Sequence, residues 1–218
     1  MRLSHHMSAS LTPRARATTA QNPIEKARSL SRFFCEMVRS PHGTGAIFPS
    51  SPALAKRIVE MAGVAKANRV VEIGPGTGAF TSEILAAMPM TSRFFAVERN
   101  TAFVNHLRNR FPEAQILEGC ATNLLELLRS NGIEDAESMI SGLPWANFNP
   151  ALQTQILLAI RSAMSPGAVF TTFAYFGPHL LPTGRKFRSV LHEMFSVVET
   201  SPVEILNFPP AFVYYCKA

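Results

Sequence analysis

Twelve residues constrain this chain more than any others. Val70-Val71-Glu72-Ile73-Gly74-Pro75-Gly76-Thr77-Gly78-Ala79-Phe80-Thr81 reads as a buried strand that runs into a glycine-rich turn and opens a helix. Three alternating glycines let the main chain approach a bulky ligand with no Cβ in the way. Glu72, at the strand end, can accept hydrogen bonds from a cationic or hydroxylated group. The spacing is G-x-G-x-G and departs from G-x-G-x-x-G, which would aim a helix N-terminus at a pyrophosphate. An acid ahead of it suits a cofactor with an amino-acid moiety and no phosphate.

S-adenosylmethionine has that form, and a second acid supports it. Arg93-Phe94-Phe95-Ala96-Val97-Glu98 reads as the next strand, so Glu98, with Arg99 beside it, falls where a carboxylate binds both ribose hydroxyls. A glycine turn alone is often only a tight connection, and a strand-end glutamate is often only solvated. In this order and spacing the two together indicate a cofactor site.

Apolar strands alternate with helical stretches through the rest of the chain, which predicts an α/β fold with a mostly parallel sheet. Helices are expected at 51–62, 79–88, 101–110, 122–130, 150–163 and 184–194. Strands are expected at 69–73, 93–98, 115–118, 137–141 and 168–175, the last following a Pro166-Gly167 turn. Two final strands, 195–204 and 211–216, would close the sheet as an antiparallel hairpin. With 218 residues, 47% of them hydrophobic, the chain can bury one good core. The expected division is a basic tail over 1–22, an amphipathic helix and cofactor-covering loop over 23–50, and the main domain over 51–218. Cys35, Cys120 and Cys216 are odd in number and far apart, so neither a disulfide framework nor a metal site is expected, and a reducing cytoplasm fits.

The charge is lopsided: residues 1–60 carry a net +6 and residues 61–218 a net of zero. Pro23 to Ser40 places Ile24, Ala27, Leu30, Phe34, Met37 and Val38 at helical spacing, with Lys26, Arg28, Arg32 and Arg39 largely elsewhere. Such a helix either docks on its own domain or binds an anionic membrane reversibly. No run reaches the roughly 18 to 20 apolar residues of a membrane span. Peripheral association with the inner face of the cytoplasmic membrane is the expectation.

In open α/β sheets, ligands sit beyond the carboxyl ends of the strands. There the chain reads Met139-Ile140-Ser141-Gly142-Leu143-Pro144-Trp145. Pro144 would stiffen the turn and aim the carbonyls of Ser141 or Gly142 at a substrate amine. Trp145 would either pack in the core or line the path of a cationic group.

Gly45-Ala46-Ile47-Phe48-Pro49-Ser50-Ser51, then EIGPGTGAFT, then ISGLPW, then Asn207-Phe208-Pro209-Pro210-Ala211, in that order, resembles the bacterial phospholipid N-methyltransferases over residues 24 to 216. The resemblance implies a seven-stranded class I domain that uses S-adenosylmethionine to methylate phosphatidylethanolamine or ornithine lipid. It implies that Glu72, Gly74, Pro75, Gly76, Thr77 and Gly78 hold the methionine part, and that Glu98 and Arg99 lie at the ribose. Phe48, Pro49 and Ser50 would lie against the same pocket, with Cys120, Ala121 and Ser141 completing it. Cys120 stands where the family often has Asp, leaving the adenine contact to the Ala121 backbone. Tyr175 and Asn207 are candidates for the substrate wall. Arg185, followed by Lys186 and Arg188 in the expected loop over the site, is the candidate for the lipid phosphate. His42, His106, His179 and His192 fall in no motif, so no dedicated base is expected. The nearest alternative is an rRNA adenine dimethyltransferase, which shares the cofactor turn but usually shows N-L-P-[YF] and carries a helical C-terminal domain. A third class is a nonenzymatic cofactor-binding module at a membrane.

Overall fold

The computed structural model describes residues 50–218. The expected tail, the helix from Pro23, and Phe48 and Pro49 lie outside the described residues.

Ser51 opens the first helix, its hydroxyl accepting the Leu54 N–H at 3.2 Å, and α1 runs Pro52–Met61. Then follow β1 Arg69–Ile73, α2 Ala79–Ala87, β2 Arg93–Glu98, α3 Thr101–Arg110 and β3 Gln115–Glu118. A 3-10 turn at Ala121–Asn123 leads into α4 Leu124–Arg129, and β4 Ala136–Ser141 into α5 Pro150–Ser162. The chain continues through β5 Met164–Tyr175, α6 Pro182–Met194, β6 Val197–Thr200 and β7 Ala211–Lys217.

The strands form one sheet in the order β3-β2-β1-β4-β5-β7-β6. Pairing is parallel from β3 to β5, and β7 runs antiparallel to both β5 and β6, which is the expected hairpin. Alternate residues of the central strands feed two cores. Val70, Phe94, Ala96 and Ile140 pack under the α1 to α3 layer, with Leu54, Ile84 and Leu107 among the partners. Val71, Phe95, Val97, Met139 and Phe170 pack under the α4 to α6 layer, with Leu128, Leu157 and Leu191. Burial on both faces is why these strands read as continuous apolar runs.

Most boundaries fall within one or two residues of expectation, and three departures bear on the site. Pro166-Gly167 does not precede the fifth strand but lies within it. Ala136 pairs with Met164 and Ser138 with Val169, so the extra residues bulge out and the missing proline donor and the positive φ of Gly167, 75°, are absorbed there. The sixth strand is only Val197–Thr200, because Pro202, Pro209 and Pro210 cannot donate to a ladder and leave 201–210 irregular. Helix α6 starts at Pro182, two residues early, so Arg185, Lys186 and Arg188 sit on its first two turns rather than in a loop.

Candidate functional site

At the carboxyl end of β1 the three glycines are not equivalent. Gly74 (φ 68°) presses on Leu143: a Cβ there would lie 2.6 Å from the Leu143 side chain. Gly78 (φ 85°) presses on Phe111, where a Cβ would lie 2.6 Å from the ring. At Gly76 (φ 57°) a Cβ would meet none of the described residues within 4 Å. The turn is thus packed at both ends and open in the middle, which is the shape needed to receive a ligand against bare backbone.

Glu72 lies beneath this opening, fully buried on the α1 to α3 side. Its Oε2 accepts a 2.6 Å hydrogen bond from the Thr81 hydroxyl, and its Oε1 has no partner among the described residues. Burial pushes its pKa up to about 8; the Thr81 hydrogen bond opposes the shift and the neighbouring Glu98 charge adds to it. An orphaned, buried carboxylate oxygen beside an open backbone turn fits a ligand that brings a cationic or hydrogen-bond-donating group. Glu98, also buried, accepts from the Gly76 N–H at 3.2 Å and from the Asn100 N–H at 2.8 Å, one per oxygen. Each oxygen keeps a second lone pair for a hydroxyl.

Arg99 is exposed next to Glu98, and Cys120 with Ala121 follows β3 at the same end of the sheet. Cys120 is half-buried. Burial raises its pKa, but hydrogen bonds from the Thr122 side chain and backbone and the Arg99 charge outweigh that, for a net lowering. Pro75 is buried, and the Thr77 carbonyl accepts from Arg110 at 2.8 Å. Ser50 is half-buried, while the next residue, Ser51, donates its N–H to the Asn207 Oδ1 at 2.8 Å.

The segment after β4 meets this turn directly. Gly142 donates to the Ile73 carbonyl at 2.9 Å, and a Cβ on it would lie 2.5 Å from the Gly74 carbonyl oxygen. Two backbones therefore touch where only glycine fits. Of the carbonyls in Ser141 to Pro144, that of Ser141 accepts the Thr172 hydroxyl at 3.1 Å. Those of Leu143 and Pro144 accept the N–H groups of Trp145 and Asn147. The Gly142 carbonyl has no donor among the described residues. The two carbonyls expected to face a substrate amine thus separate: Ser141 is engaged inside the sheet, and Gly142 is left.

Beyond this point lies a cavity lined by Leu143, Pro144, Trp145, Phe173, Tyr175 and Phe187, among others. Leu143 touches the glycine turn on one side and lines the cavity on the other. Trp145 is buried, stacked on Phe187 at 4.7 Å between centroids, with its indole N–H on the Thr172 hydroxyl at 2.8 Å. It therefore belongs to the core and to the cavity wall at once. Burial raises the pKa of Tyr175 above its ordinary value, so its hydroxyl stays protonated. His179 also lines the cavity; its Nδ1 accepts the Gly177 N–H at 3.1 Å, and burial leads a net lowering of its pKa. Among the described residues, the cavity lining contains no Lys, Arg, Asp or Glu.

Arg185 is exposed on α6 and does not line this cavity. Nor does Asn207: besides taking the Ser51 N–H, its buried amide donates to the Pro209 carbonyl at 2.6 Å. Asn207 ties two distant segments together instead of offering its side chain to a ligand. Sequence reasoning missed Gln153, a buried cavity residue whose Nε2 donates to the Trp145 carbonyl at 2.8 Å and whose Oε1 has no partner among the described residues. The signal was present, since Gln153 shares the apolar face of α5 with Ile156, Leu157 and Ile160. Among the described residues there is no cluster of His, Cys, Asp or Glu able to hold a metal ion.

The family described as ribosomal RNA adenine dimethylase matches residues 44–138, the half that carries the glycine turn. The ornithine lipid N-methyltransferase of Singulisphaera acidiphila is 31% identical over 193 residues, covering 86% of this chain and 93% of that one. The ribosomal RNA small subunit methyltransferase A of Chlorobium phaeobacteroides is 36% identical over 74 residues, covering 34% of this chain and 27% of that one. Among solved structures, the O-methyltransferase TomG of Streptomyces achromogenes, in complex with S-adenosylmethionine, superimposes with a TM-score of 0.61 at 19% identity, over 92% of each chain.

Proposed function

Since the chain belongs to the bacterial lipid N-methyltransferase family, whose members are class I S-adenosylmethionine-dependent enzymes, we propose that it methylates the amino headgroup of a membrane lipid, phosphatidylethanolamine or ornithine lipid. The observation that carries this reading is the extent of the match. The match to the lipid enzyme covers 86% of this chain and 93% of that one, whereas the family model described as ribosomal RNA adenine dimethylase ends at residue 138, before Ser141 to Trp145.

The sulfonium of the bound cofactor supplies an already activated methyl group, so the residues of this chain need only hold, orient and dry the acceptor. Glu72 and the open backbone at Gly76 would seat the methionine part, and Glu98 the ribose. Leu143, at the seam between turn and cavity, would bring the amine to within about 3 Å of the methyl group. The Gly142 carbonyl would accept an amine N–H and point the nitrogen lone pair toward the donor. Aromatic walls from Trp145, Tyr175 and Phe187 suit a nitrogen that gains positive charge as the bond forms. An uncharged lining disfavours the ammonium form, which has no lone pair, and so helps deliver the neutral amine. His179 is poorly placed as a base because its Nδ1 already accepts from Gly177.

Asparagine, which the ribosomal RNA pattern has before Leu-Pro, would stand at Gly142, where a Cβ overlaps the Gly74 carbonyl. That argues against adenine as the acceptor. The test is incubation with deuterium-labelled S-adenosylmethionine and vesicles of phosphatidylethanolamine, ornithine lipid and an anionic lipid, with ribosomal RNA in a parallel reaction. Labelled lipid, with a mass that names the headgroup, is expected. Label in RNA alone would overturn the proposal.

A further inference from the structure

Five of the eight large apolar side chains exposed among the described residues come from two adjacent loops. Phe176 and Leu180 lie between β5 and α6; Ile205, Leu206 and Phe208 lie between β6 and β7, and Ile205 and Leu206 are 77% and 81% exposed. The loops are joined where the Phe176 N–H donates to the Pro210 carbonyl at 2.8 Å, next to the Tyr175 and Ala211 register pair. A cluster of this kind marks an interaction surface.

The cluster is held in shape. Asn207 points inward, fixed to Ser51 and Pro209, while its neighbours Leu206 and Phe208 are exposed. His179 braces the other loop by accepting from Gly177 and packing its ring against Phe176 and Phe212.

Among the described residues, the charge that flanks the cluster outside ion pairs is positive. Arg185, Lys186 and Arg188 are exposed on the first two turns of α6, which begins directly after Leu181. Glu204, the acid next to Ile205, is ion-paired with Arg57. From Ala168 to Val198 the chain has one acid, Glu193, which lies at the far end of α6 and accepts from Ser189. Apolar side chains flanked by cations with no ion-pair partner among the described residues match a bilayer with anionic headgroups, which offers hydrocarbon depth and surface charge together. Pro178 and His179 of the first loop also line the acceptor cavity.

We propose that the 176–181 and 204–210 loops form a ridge that inserts into an anionic membrane and holds the acceptor cavity against the headgroup layer. The ridge is distinct from the expected N-terminal amphipathic helix, and its place beside the cavity rests on the lipid-amine reading above.

The experiment uses the full chain and the double variant Ile205→Ser/Leu206→Ser, both positions being mostly exposed and outside the cofactor and acceptor sites. Co-sedimentation with phosphatidylcholine vesicles, with and without phosphatidylglycerol, reads membrane partition. Methyl transfer is read on the amine lipid in vesicles and on its short-chain, water-dispersed form. Partition should weaken at least about tenfold, because two apolar side chains lose their burial. Vesicle turnover should fall with it, while cofactor affinity and short-chain turnover stay within about twofold of the parent. Partition of the parent should also weaken when phosphatidylglycerol is omitted. Unchanged partition of the double variant overturns the ridge, whether or not its oligomeric state changes. Ridge-dependent partition with no label in any lipid supports the ridge and sinks the lipid-amine chemistry instead.

Discussion

Glu72 should make cofactor binding a proton-releasing event at neutral pH and a proton-consuming one at alkaline pH. With a pKa of about 8, about nine tenths of the free protein carries a proton on this buried carboxyl at pH 7. An ammonium placed at Oε1, the oxygen with no partner among the described residues, supplies the opposite charge that burial denies and returns the carboxyl to its ionised form. About 0.9 proton leaves Glu72, while an α-amino group of ordinary pKa near 8 takes up about 0.1 to become fully charged, so the net release at pH 7 is about 0.8. At pH 9 the terms exchange size: the carboxyl has little left to lose and the amine takes up most of a proton, for a net uptake of about 0.8. Titration calorimetry of S-adenosylhomocysteine binding, repeated in buffers of different ionisation enthalpy, measures both numbers and the sign change between them. Glu72→Gln removes the carboxyl's share and should show uptake at both pH values. If parent and variant exchange the same number of protons at pH 7, the pairing of Glu72 with a cationic group is refuted.

The same carboxyl sets a trend in stability. Its folded pKa lies above the ordinary 4.5, so its contribution is fully present below pH 4.5 and is lost as pH rises through about 8, by up to about 5 kcal/mol in the free protein; chemical denaturation from pH 5 to 8 should show this loss in the parent and not in Glu72→Gln. The glycines of the turn should separate by effect. Gly76→Ala, with open space around the new methyl, should lower cofactor affinity at a stability cost near 1 kcal/mol, whereas Gly78→Ala, driven into Phe111, should cost more stability than that, as read by urea midpoints beside ligand titration. Asn207→Ala leaves the Ser51 N–H and the Pro209 carbonyl without their partner and should lower stability by about 2 to 4 kcal/mol, measured by thermal and chemical unfolding.

Much of this was legible because it is local. The strands at 69–73, 93–98 and 115–118 lie where the β-branched and aromatic runs put them, and the glycine turn with Glu72 and Glu98 needed only spacing to be found. Pro166-Gly167 misled because a breaker pair signals a turn, while a bulge is permitted only by the register of the neighbouring strand, which the local pattern does not contain. Asn207 looked like a substrate contact because its partner, Ser51, is 156 residues away. Arg185 lies on the exposed face of a helix instead of in a loop over the site: Pro182 is pre-shaped for a first helical turn, and α6 starts there, two residues ahead of the expected 184. The division of labour among the carbonyls after β4 depends on Thr172 and on where the 3-10 turn at Trp145–Asn147 closes, neither of which a sequence pattern encodes.

The face-to-face approach of Gly74 and Gly142 has a mechanical consequence. With no side chain between the two backbones at this point, little is there to absorb a displacement, and a shift of the glycine turn should be passed on to Gly142. Occupancy on one side of that contact therefore biases the geometry on the other, and thermodynamic reciprocity requires the influence to run equally in both directions. With the acceptor held at the Gly142 carbonyl, as proposed, whatever factor the methyl donor applies to acceptor affinity the acceptor must apply to donor affinity.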